Sequence, residues 1–101
     1  MGQRSDLHSE LVAMLGSTNV YFQPPSNVQM KFPAIVYERD DRWVVHAGNG
    51  PYVGKQRYFV TVIDRNPDSV VLEKFNQRPL CRFSRHFVVE GLNHDAYTLY
   101  H

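Results

Sequence analysis

The sequence predicts an α+β fold, an antiparallel or mixed β-sheet with two helices packed mainly on one face, formed as a single domain over residues 1–101. Three observations carry that expectation. An apolar stripe at helical spacing opens the chain, several alternating β-prone runs follow it, and a proline-acid signal after Asp64 marks a second helix ahead of two more strand-like runs. Helix, strands, helix, strands is the order of an α+β layer architecture.

The opening stripe is Leu7, Leu11, Val12 and Leu15, with Ser5 or Asp6 available as a cap and Gly16 as a stop, so a helix is expected over about 5–15. Asn19-Val20-Tyr21-Phe22-Gln23 is β-prone and is stopped by Pro24-Pro25, which suits a brief edge strand. Residues 26–33 read as a connector, and Pro33 opens a second strand over 34–39. After the charged run 39–42, the segment 47–54 holds three glycines, a proline and an asparagine, the composition of a Gly-rich hairpin loop at about 46–54. Lys55 to Asp64 then alternates, with Tyr58, Val60 and Val62 on one face and Arg57, Phe59, Thr61 and Ile63 on the other, as a central strand would. Asn66 precedes Pro67, with Asp68 beyond it, so Asn66 is the expected cap of a second helix whose apolar positions are Val70, Val71, Leu72 and Phe75 and which Pro79 closes. Residues 81–90 and 92–100 read as strands of a terminal hairpin around Gly91.

Composition narrows the function classes. The chain is 43% hydrophobic and 21% charged, which disfavours disordered and fibrous classes. Its 13% aromatic content is high for so short a chain, and rings beyond the needs of one core would complete their burial on a partner. Net charge is +1 with no like-charge block, so no nucleic-acid footprint stands out. The single cysteine, Cys81, has no partner for an internal disulfide and fits a reducing compartment. The polar start does not resemble a secretion signal, and no apolar run reaches the length of a membrane span.

Chemistry is hard to find. Of the five histidines, His8 reads as a flanking helix residue, His46 borders the Gly-rich loop and His101 ends the chain. His86 and the pair His94-Asp95 lie on the terminal hairpin, where a metal site would need a convergence the pattern does not supply. A Cys81-His94-Asp95 triad fails because adjacent strand residues point to opposite faces. The glycines at 48, 50 and 54 have no following helix to cradle a phosphate. No catalytic residue, metal ligand or cofactor is therefore expected, and the chain is read as no enzyme. A nucleic-acid reading would use Arg82, Arg85 and His86 beside Phe83 and Phe87. Strict alternation instead sets Phe83, Arg85 and Phe87 on one face and Arg82, Ser84 and His86 on the other, with no continuous basic stripe. Recognition of protein surfaces fits better, because Arg, Trp and Tyr dominate binding hot spots. The residues expected at interfaces are Tyr21, Arg42, Trp43, His46, Tyr52, Arg57, Arg82 and Arg85.

Several phrases also have a familiar wording: Asn19-Val20-Tyr21-Phe22-Gln23-Pro24-Pro25, Val28-Gln29-Met30-Lys31-Phe32-Pro33-Ala34-Ile35-Val36-Tyr37, and Tyr58-Phe59-Val60-Thr61-Val62-Ile63-Asp64-Arg65-Asn66-Pro67-Asp68-Ser69. With Cys81-Arg82-Phe83-Ser84-Arg85-His86-Phe87 and Leu92-Asn93-His94-Asp95, the chain from about residue 5 to residue 100 resembles the small tail-terminator or tail-completion proteins of siphophages. The resemblance implies a structural virion protein of the phage neck, assembled in the host cytoplasm. Such a subunit forms a homo-hexameric ring on the end of the tail tube, stops tube polymerisation and presents a head-joining surface. Its partners would be itself, the tail tube protein and a head-closure or connector protein, with no membrane and no specific nucleic acid. Head-closure and connector subunits of the neck have similar lengths and also form rings, and the quoted phrases do not separate them. That alternative stays open, as does a small nucleic-acid-binding module.

Overall fold

A computed structural model describes residues 3–40 and 56–101. Within them the chain runs α1 (Gln3–Leu15), β1 (Val20–Phe22), β2 (Ala34–Arg39), β3 (Arg57–Asp64), α2 (Val71–Gln77), β4 (Cys81–Val89) and β5 (Leu92–Tyr100). The strands form one mixed sheet in the order β1-β2-β3-β5-β4. β1 pairs with β2 in parallel, and the remaining neighbours are antiparallel. The predicted α+β fold is present, with β3 central and β1 at an edge.

Both helices cover the same sheet face. Leu7 and Leu11 of α1 and Val71 and Phe75 of α2 join Val20, Ile35, Tyr37, Tyr58, Val60, Val62, Tyr97 and Leu99 in one buried cluster. The strand alternation read from 58, 60 and 62 is therefore the alternation of the core face. Gly16 adopts φ +75°, and its N–H donates to the Val12 carbonyl at 2.9 Å, which ends α1 where the glycine allows a left-handed residue. α1 begins earlier than expected, so Ser5 and Asp6 lie inside its first turn rather than before it.

Tyr37, Tyr58, Phe75 and Tyr97 are buried, and Phe75 stacks on Tyr97 with ring centres 4.9 Å apart. His8 is half-buried and shares a 2.7 Å hydrogen bond with the Tyr37 hydroxyl, so it is tied to the sheet beneath it. Arg78, just after α2, donates to both carboxylate oxygens of Glu10 on α1 at 2.6 and 3.3 Å and to the Tyr100 carbonyl at 3.3 Å. One guanidinium thus joins both helices to the end of β5, using the fork geometry that a carboxylate matches.

The second helix departs from expectation at its start. Asn66 does not cap it, because α2 begins only at Val71. The Asn66 side chain instead accepts from the Asp68 N–H at 2.9 Å, closing a local turn of the kind Asn forms with the backbone two residues on. The Asp64 carboxylate receives the Asn66 N–H at 3.0 Å in the same way, and these consecutive turns postpone the helix. Ser69 takes over at the helix start, accepting the Val71 N–H at 3.3 Å. Val70, expected on the packing stripe, falls outside the helix and is exposed.

Candidate docking surface

The terminal hairpin carries three of the exposed large apolar side chains among the described residues. Its turn is Glu90-Gly91, with φ +51° and +77°, the two left-handed residues that a tight type I′ connection requires. β5 is then buried on alternate residues against the core, while β4, which α2 touches and whose Cys81 packs on the core, forms the outer edge of the sheet among the described residues. Phe83, Val88 and Val89 are exposed to 48%, 57% and 47%, whereas β1, β3 and β5 hold no exposed residue.

A β-bulge divides β4. Phe83 sits opposite Tyr97 and Arg85 opposite Ala96, so Ser84 is the extra residue between two successive partners. Strict alternation is therefore overturned here. Cys81, Phe83, His86 and Val88 oppose Leu99, Tyr97, Asp95 and Asn93 and share the helix side. Arg82, Arg85, Phe87 and Val89 share the far side, where Arg82 and Arg85 border the small Thr98 and Ala96. The two arginines that the sequence assigned to opposite faces come together on one.

The other expected interface residues are scattered. Arg42, Trp43, His46 and Tyr52 lie outside the described residues, as does the Gly-rich loop. Tyr21 is on β1 at the opposite edge of the sheet, half-buried, and its hydroxyl accepts the Lys31 N–H at 3.2 Å from the chain's own connector. Arg57 is half-buried on β3 and forms an ion pair with the buried Asp40 at 2.8 Å. With Arg82, Leu80, Cys81, Thr98 and Tyr100 it lines an open depression of about 490 Å³ at the start of β4.

The hairpin's titratable groups do not converge on one centre. His86 opposes Asp95 on the helix side, and its Nε2 is 3.0 Å from Asn93 Oδ1. Asn93 in turn donates to the Asp64 and Arg65 carbonyls at 3.2 and 3.1 Å, tying β4 and β5 to the end of β3. His94 faces away and stacks on Phe87 at 4.7 Å, and the Arg85 guanidinium lies 4.9 Å from the centre of that same ring. Burial raises the Asp95 pKa, partly offset by His86 and His94. Burial also pushes the Cys81 thiol up to about 11, which keeps it protonated and unreactive at neutral pH. Among the described residues no group of three or more His, Cys, Asp or Glu is placed to hold a metal ion, and no helix is long and apolar enough to cross a membrane.

Sequence reading does not single out the exposed Phe83, Val88 and Val89. Hot-spot composition points to Arg, Trp and Tyr, whereas these exposed apolar side chains lie on the outermost strand, and strand order is not written in the local sequence pattern. No protein-family profile matches the chain, and no curated protein or solved structure matches it either.

Proposed function

We propose that this protein is a structural assembly subunit, a tail-terminator or tail-completion protein that forms a ring on the end of a phage tail tube. The reading rests on the sequence resemblance and on one observation of the fold: a nine-residue edge strand exposes apolar side chains on both of its faces. Exposed apolar area in a strand that also lacks an outer neighbour among the described residues is costly to leave in water and prone to pair. A ring subunit uses such surfaces, since each copy must meet neighbours on two sides as well as the tube and the head. Deleting the gene is expected to give unattached heads and tails of uncontrolled length by electron microscopy. Normal virions would overturn the reading, and correctly measured but unjoined tails would move the protein to a head-closure or connector position.

A further inference from the structure

We propose that the free edge of β4 takes up an extended segment of another protein as a sixth strand, acidic toward the far side of the sheet and apolar toward the helix side. The inference deepens the docking reading by naming the partner's chemistry, and it rests on that reading only in requiring a protein partner.

The edge has the elements of strand addition. Among the described residues β4 is the last strand of the sheet, and beyond the bulge Arg85–Val89 pairs in unbroken register with Leu92–Ala96, leaving a regular outer edge. An added strand gains its affinity from main-chain hydrogen bonds and its selectivity from alternate side chains. Toward the far side the guest meets Arg82 and Arg85, both exposed, with no acid anywhere between Cys81 and Val89 to neutralise them. Toward the helix side it meets Phe83 and Val88, exposed by 48% and 57%, with His86 between them. A segment with acids and apolar residues at alternate positions satisfies both sides at once.

The same charges argue against two other occupants. A second β4 would bring arginine against arginine, and like charges on facing strands are unfavourable. The opposite edge of a second copy offers only Val20-Tyr21-Phe22, which has no acid for the arginines. A single-stranded nucleic acid would need free rings for stacking, yet Phe87, the aromatic beside the arginines, is already engaged by His94 and Arg85.

The test uses the full chain and a fluorescent peptide of about ten residues alternating Glu and Val, with a Lys-Val peptide and a thymidine oligonucleotide of equal length as controls. Fluorescence anisotropy should show saturable binding of the Glu-Val peptide, at least about tenfold tighter than Lys-Val. Amide hydrogen exchange should slow at Arg85–Val89 when the peptide binds. The exposed double variant Arg82→Glu with Arg85→Glu should reverse the peptide preference while its melting temperature stays near that of the wild type. Absence of binding, protection elsewhere than β4, binding indifferent to the charge reversal, preference for the oligonucleotide, or self-association through β4 would each overturn the inference. Ring formation on a tube by a chain that fails the peptide test leaves the functional reading standing without this partner, whereas peptide capture with normal virions from the deletion does the reverse.

Discussion

At the scale of single residues, burial governs the titrating groups. The Cys81 thiol is raised from 9.0 to about 11 and the Tyr97 hydroxyl from 10.0 to about 12, desolvation leading in both. Tyr37 and Tyr58 are raised for the same reason. The folded chain therefore holds protons that the unfolded chain releases, so this contribution to stability is complete below about pH 9 and falls as pH rises toward about 11. Urea midpoints measured from neutral to strongly alkaline pH should decline across that window, and iodoacetamide should modify Cys81 much more slowly in the native than in the unfolded chain near pH 8. Asp95 is raised by burial as well, so its charge is a burden in the folded state at neutral pH. Asp95→Asn should raise the melting temperature at pH 7 and lose that advantage in acid, where the carboxyl is protonated. The sequence made Cys81 a poor nucleophile by argument from strand geometry, but its burial depended on Leu99 across the hairpin, a pairing that no local pattern specifies.

At the scale of elements, turns decide where helices and hairpins begin. Because Ser69 accepts the Val71 N–H and Asn66 serves only an exposed turn, Ser69→Ala should cost about 0.5–2 kcal/mol in denaturant unfolding and Asn66→Ala distinctly less. At the hairpin, Gly91 has open space where a Cβ would project, so the cost of Gly91→Ala is a backbone cost of about 1–2 kcal/mol at φ +77°. Glu90→Asn should stabilise, since Asn tolerates the left-handed conformation better. Arg78→Ala should be the most damaging of the polar changes, about 1.5–3 kcal/mol, because it leaves Glu10 and the Tyr100 carbonyl without their shared donor. Gly91 and the alternation of β3 were legible because a glycine and a regular period announce themselves. The bulge at Ser84 was not, since neither glycine nor proline marks it, and a one-residue insertion moves every later side chain to the other face. Asn66 misled because its preference for helix caps and its preference for local turns rest on the same short side chain.

At the scale of the whole molecule, coverage is uneven. Two helices cover one face of the sheet, and Tyr37, Tyr58, Phe75 and Tyr97 lie in the core beneath them. Along β4 the exposed residues include Arg82, Phe83, Arg85, Val88 and Val89. α+β architecture followed from element order alone, whereas the docking edge required knowing that β5, and not β4, inserts beside β3. In the function proposed above, the exposed side chains at the end of β4 serve assembly and contribute little to folding. The most direct test of that claim is the double variant Val88→Lys with Val89→Lys, which blunts the edge with charge at two exposed positions. Thermal melting of the purified variant, together with its abundance in purified particles by mass spectrometry, reads the two roles separately. The expected result is a melting temperature within a few degrees of the wild type and loss of the protein from particles; a large drop in melting temperature, or incorporation at the wild-type level, would contradict the claim.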